Sequence, residues 1–206
     1  MKSLLMSLLR LGLGLLAMGW IGHALAAPLE VAGVKMEDRI VLADTPLLLN
    51  GAGVRYKLVF KVYVAGLYLK QKASTPEEAL AAPGPKRILM TMLRDIDTNE
   101  LGKLFTRGIE DNMEPGSFRQ LIPDIVRMGQ MFARHKSLKA GESIWIDWIL
   151  GTGTILTVKG KVENDILKDQ AFYNALLRIW LGPKPADHQL KDALLDIKKS
   201  ASAAER

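Results

Sequence analysis

The chain has 206 residues, 49% hydrophobic and 24% charged, with 28 basic and 22 acidic side chains and no cysteine. This is the usage of an ordinary globular chain of about one domain, and it excludes a disordered chain, a collagen-like repeat and a multi-pass membrane protein. Without cysteine there is no disulfide scaffold, no thiol nucleophile and no Cys-ligated zinc or iron–sulfur site.

Lys2 and Arg10 are the only formal charges before Glu30. The apolar run Leu11–Ile21 is too short to cross ~30 Å of hydrocarbon, and Ala24-Leu25-Ala26 supplies a small-x-small cleavage pattern. Residues 1–26 therefore read as a secretory signal cut after Ala26, with the periplasm as the expected compartment. An uncleaved anchor is the alternative, but Arg10 interrupts the longer apolar stretch it needs. Loss of Lys2 and Arg10 leaves 26 bases against 22 acids. An excess of +4, evenly spread on an exported chain, does not indicate nucleic acid.

Residues 27–206 read as one domain. Ile40–Leu49 is an apolar strand containing Thr45-Pro46, and Tyr56–Leu69 alternates as one long strand or two. Thr75-Pro76-Glu77-Glu78-Ala79-Leu80 has a capping Thr, Pro at the first position and early acids, which predicts a short helix. Lys86–Leu93 alternates around Ile88, Met90 and Met92. Asp97, followed three residues on by Glu100, opens a helix over Thr98–Met113 whose Leu101, Phe105 and Ile109 share a face. A second helix covers Phe118–His135. Ser143–Leu150 and Thr154–Lys161 form a hairpin about Gly151-Thr152-Gly153, and helices follow over Phe172–Leu181 and Gln189–Ile197. Helices set between hairpin-paired strands predict α+β with an antiparallel sheet. A domain of about 180 residues buries some 70% of its unfolded surface, room enough for a core or an internal pocket.

Few residues carry chemistry. His135 lies in Ala133-Arg134-His135-Lys136, where a cation complements a helix C-terminus, and His188 reads as an exposed residue of a loop or helix start. No His-x-His or His-Glu-x-x-His spacing occurs, so no metal site follows, and neither Gly51-Ala52-Gly53 nor Gly151-Thr152-Gly153 meets a dinucleotide or phosphate motif, so no cofactor follows. Met90, Met92, Met113, Met128 and Met131 suit either a soft pocket lining or plain core packing. Arg94-Asp95 reads as an ion pair at a strand end. Trp145 and Trp148, three apart on one strand, face opposite sides of the sheet. In Leu49–Leu69 small residues allow a close backbone approach ahead of Arg55, and Arg55, Lys57, Lys61, Tyr63 and Tyr68 set donors among apolar neighbours. An Arg fork beside a phenol suits a carboxylate or enolate oxygen; solvated positions on a strand face explain Arg55 and Lys57 equally well.

Taken in order, Asn50-Gly51-Ala52-Gly53-Val54-Arg55, Lys61–Leu69, Leu93-Arg94-Asp95-Ile96, Lys139-Ala140-Gly141-Glu142, the Gly151–Thr154 hairpin and Ile179-Trp180-Leu181-Gly182-Pro183 resemble the chalcone isomerase superfamily, in its bacterial chalcone isomerase-like branch. The resemblance runs from about Leu48 to Leu195. It implies an open-faced β-sandwich, a long antiparallel sheet covered by helices with a cleft between. It places Arg55 on the arginine that stabilises an enolate in the plant enzymes, an electrostatic role. The threonine and tyrosine that organise water there fall on Tyr63 and Phe105, the asparagine on Asn112, and the second threonine near Ile179. Changed hydroxyl positions speak against chalcone cyclisation. The Arg55–Tyr63 pair instead resembles the fatty-acid-binding members, where an arginine and a tyrosine hold the carboxylate. Asn112 also reads simply as a helix C-terminal residue tolerant of left-handed geometry. The expectation is a non-catalytic periplasmic protein that binds a small apolar acid, such as a fatty acid, or an aromatic ligand. Arg55 and Tyr63 clamp the acid, and Phe105, Asn112, Ile179, Met90 and Met92 line the cleft. Two other readings stay open: an intramolecular lyase acting on an enone or phenolic substrate with Arg55 as electrophile, and an envelope protein-interaction module. None of them needs a membrane span once the signal is removed.

Overall fold

The computed structural model describes residues 29–197; the export segment 1–26 and its cleavage after Ala26 lie outside the described residues. Among the described residues eleven strands and five helices follow one another, numbered in chain order. β1 (Leu29–Val31) and β2 (Val34–Met36) form a small hairpin. β3 (Arg39–Leu42), β4 (Thr45–Lys57), β5 (Phe60–Leu69), β6 (Lys86–Met92), β9 (Ser143–Ile149), β10 (Gly153–Val158) and β11 (Lys161–Val162) make a seven-stranded sheet in the order β11-β10-β9-β6-β5-β4-β3. Every pairing in it is antiparallel. β7 (Ile96–Asp97) pairs with β8 (Ser137–Leu138) apart from it. The helices are α1 (Pro76–Ala81), α2 (Thr98–Asp111), α3 (Pro115–Ala133), α4 (Gln170–Leu181) and α5 (His188–Leu194). This is the expected α+β architecture, an antiparallel sheet covered by helices.

Strict alternation sets the two faces. In β6, Lys86, Ile88, Met90 and Met92 are buried while the residues between them are half-buried. Together with Tyr63, Ala65, Leu67 and Leu69 of β5 and Ile144, Ile146 and Trp148 of β9, the three apolar residues of that set meet α2, α3 and α4 in the main core. The opposite face packs Leu47, Leu49, Val64 and Tyr68 under Met36 of the first hairpin. Trp145 and Trp148 divide between the faces: Trp148 stacks at 5.9 Å on Tyr173 of α4, whereas Trp145 lies 4.4 Å from the Arg87 guanidinium. Helix starts are set by side chains. Thr75 accepts from the Glu78 amide in a full capping box, and Asp97 accepts from Asn99 and Glu100.

Several local expectations change. Ile40–Leu49 is not one strand: it turns back at Ala43 (φ 47°) and Asp44 (φ 57°), a two-residue loop with the left-handed backbone that hairpins need. Of the two readings of Tyr56–Leu69, one long strand or two, the structure has two, divided at Leu58-Val59, so Leu49–Lys57 belongs wholly to β4. Glu100 does not complete a capping box; its carboxylate takes Lys103 at 2.8 Å. His135 does follow the end of α3, and its Nε2 lies 2.7 Å from the buried carboxylate of Glu163, which also accepts from Arg134. Arg94 and Asp95 do not pair: Asp95 accepts from Lys139 Nζ at 2.7 Å and from the Ala140 amide, and Arg94 lies over the Phe60 ring at 5.6 Å.

The small residues of β4 have a clear use. A Cβ on Gly51 would sit 2.1 Å from the Ala193 carbonyl oxygen, and one on Gly53 would sit 2.6 Å from the Ala193 methyl. The close approach is therefore made by α5. Asn50, between them and the register shift after Leu49, is fully buried. Its amide donates to Ala73 O (2.9 Å) and Leu194 O (2.7 Å) and accepts from Ala73 N (2.7 Å), so each polar atom of the side chain is satisfied.

Candidate functional site

Arg55 on β4 and Tyr63 on β5 are direct cross-strand partners, so their side chains share the helix-covered face. The guanidinium carbon stands 5.8 Å from the Tyr63 ring centroid. Tyr63 is buried, and its phenol oxygen accepts the indole N–H of Trp180 from α4 at 2.9 Å. Burial pushes the phenol up to about 12 although the nearby Arg55 charge and the Trp180 bond pull the other way. Tyr63 is accordingly a neutral hydroxyl that has accepted one bond and keeps its proton to donate.

These two residues stand at one side of a cavity of about 460 Å³, within the range of roughly 300–1,000 Å³ usual for small-molecule sites. Val62, Leu101, Leu104, Phe105, Ile179 and Ala186 give it apolar walls. Phe105 is fixed edge-on against Phe132 (5.4 Å) and Trp180 (5.5 Å). Ile179 reaches α2 because Gly108 has no side chain; a Cβ there would lie 3.1 Å from Ile179 Cγ2. The polar lining is mostly basic: Arg55, Lys57, Arg94, Arg107 and Lys184 against Asp95, Glu100 and Asp111. Among the described residues none of these five cations has a carboxylate within ion-pair reach, whereas Asp95 and Glu100 are engaged by Lys139 and Lys103. The site is therefore an apolar cleft with surplus positive charge, suited to an anion that carries a hydrocarbon body.

Of the residues singled out in the sequence, Arg55, Tyr63, Phe105 and Ile179 come together at this cavity. Met90 and Met92 do not: both are buried in the main core on the sheet beneath the helices, which answers the two readings of those methionines in favour of packing. Asn112 does not line the cavity either. It caps α2 with φ −115°, not in the left-handed region, and its side chain donates to Gly108 O and Lys184 O and accepts from Lys184 N at 2.8 Å. A Cβ on Gly182 would lie 2.2 Å from its Oδ1. Asn112 thus ties the α4–α5 connection to the end of α2 and holds Lys184 at the rim. Arg107, Lys184, Leu101 and Leu104 also line it; the helical spacing of Leu101 and Phe105 is the one sequence signal for that wall.

Among the described residues no group of three His, Asp or Glu side chains is placed to hold a metal ion. A family model described as chalcone isomerase-like matches residues 28–196. Among solved structures, the crystal structure of an Arabidopsis thaliana fatty-acid binding protein is similar, with a TM-score of 0.65 over 80% of this chain and 92% of that chain. The sequence identity is 13%, so the likeness is one of fold. No curated protein matches the sequence.

Proposed function

The chain belongs to the chalcone isomerase-like family, and within it we propose a non-catalytic binding protein of the bacterial periplasm that holds a small apolar acid such as a fatty acid. The observation that carries this reading is the Arg55–Tyr63 pair at the cavity: an arginine with no carboxylate in ion-pair reach among the described residues, beside a buried, neutral phenol whose proton is available. Arg55 supplies the charge and a fork of donors, and Tyr63 adds one hydrogen bond to a carboxylate oxygen. Leu101, Leu104, Phe105 and Ile179 cover the hydrocarbon. Phe105 and Ile179 present carbon where cyclisation of a chalcone calls for hydroxyls, which favours binding over turnover. The distant fold likeness to a fatty-acid binding protein supports the same ligand class. Export rests on the signal pattern of residues 1–26.

Native mass spectrometry of the protein purified from its own periplasm, followed by denaturing extraction, tests the proposal. A stoichiometric acyl acid on a chain that begins at Ala27 is expected. Arg55→Ala keeps its melting temperature and loses the ligand, since charge-assisted hydrogen bonds contribute about 1.5–3 kcal/mol each. An Arg55→Ala protein that retained the acid would overturn the site assignment.

A further inference from the structure

The turn between β4 and β5 breaks two ordinary rules at one place. Two-residue hairpin loops favour Gly, Asn or Asp, because the backbone must enter the left-handed region. Here the loop is Leu58-Val59, and Leu58 adopts φ 55°. The same residues are also left in solvent: Leu58 is 89% exposed, Val59 82%, and the adjoining Phe60 57%. An exposed apolar tip in a backbone conformation unfavourable for leucine gains nothing for folding and points to a role at the surface. Cations outnumber acids around it, the nearest carboxylate being Asp187, which accepts the Tyr56 amide at 2.8 Å. No Asp or Glu occurs between Asp44 and Glu77, while Arg55, Lys57 and Lys61 lie on the two strands of the tip and Arg94 stacks over Phe60.

We propose that the Leu58-Val59-Phe60 tip docks on an anionic phospholipid surface, its apolar side chains entering the headgroup boundary and Lys57 and Lys61 lying against the lipid phosphates. An apolar wedge ringed by cations is the composition that binds such interfaces. The tip is far smaller than the roughly 20–30 residues a side of a stable protein interface, yet insertion into a fluid boundary needs only a few side chains. No helix among the described residues is long and apolar enough to cross a membrane, and the docking is peripheral. Lys57 and Arg94 also line the cavity, so a docked molecule presents its cavity beside the lipid. The docking goes beyond the acid-binding reading, and the two are measured separately: vesicle binding on delipidated protein, acid content by extraction.

Flotation with vesicles of phosphatidylcholine alone and of equimolar phosphatidylcholine and phosphatidylglycerol tests it. The wild-type protein is expected to float with the anionic vesicles and far less with the neutral ones. Leu58→Asn combined with Val59→Thr is expected to lower the partition coefficient about tenfold or more, with an unchanged or higher melting temperature, because Asn accepts the left-handed backbone. Lys61→Gln is expected to weaken binding to the anionic vesicles several-fold without changing the neutral baseline. Absence of flotation with anionic vesicles, or equal flotation of the double variant, would overturn the proposal. So would self-association that depends on the tip in a protein indifferent to vesicles.

Discussion

In the proposed site Arg55 and Tyr63 divide the work of holding an acid. The arginine brings charge without a partner to satisfy first, and the tyrosine brings a proton that burial keeps in place up to about pH 12. Because the phenol oxygen also receives the Trp180 indole N–H, the two residues answer differently to substitution. Tyr63→Phe is expected to reduce affinity for a long-chain fatty acid about three- to tenfold in calorimetric titration, the worth of one neutral hydrogen bond. It also leaves a buried N–H unmatched, so its melting temperature falls, whereas that of Arg55→Ala does not. Equal melting temperatures for wild-type and Tyr63→Phe protein would show that the Trp180 bond contributes nothing. Arg55 and Tyr63 were legible in the sequence because they sit eight residues apart across a hairpin, within a recognisable motif. Arg107 and Lys184 were not: each reads alone as a charge on an exposed helix or loop, and only the packing of α2 against the α4–α5 connection brings them to one rim.

At the scale of elements, strands were legible where alternation was unbroken, as in β6, β9 and β10. The breaks were not, because Ala43-Asp44 and Leu58-Val59 lack the Asn-Gly type of dipeptide that marks a two-residue turn. The small residues of β4 mark a place of close approach, but a sequence does not say what approaches. The structure supplies α5. Gly51→Ala is accordingly expected to destabilise the fold by about 1–3 kcal/mol in denaturant unfolding, since its new methyl meets the backbone of Ala193, which cannot swing aside as a side chain can. Unchanged stability would mean that α5 shifts freely on the sheet. Asn50 was noticed only as part of a motif; its three bonds to residues 73 and 194 have no local signature.

For the molecule as a whole, Lys86 is an ammonium group carried into the fold at some cost. It is buried on the helix side of β6, with the Leu80 carbonyl as its acceptor, and burial lowers it to about 8. In the unfolded chain it holds its proton to about 10.5. Between these values the unfolded state binds more protons, so this residue makes stability rise as pH rises from about 8 toward 10.5. Urea unfolding across that window is expected to show the rise in wild-type protein and its absence in Lys86→Met. A parallel pair of pH profiles would place the effect elsewhere.

The bond from Asn50 to the Leu194 carbonyl joins positions 144 residues apart. The strand that carries Arg55 is thus completed by a segment that emerges from the ribosome after every other described element. Its edge of small residues stays bare through synthesis, and contacts of such sequence separation are the slow ones to form. The strand that carries Arg55 is therefore closed on its α5 side only at the end of synthesis.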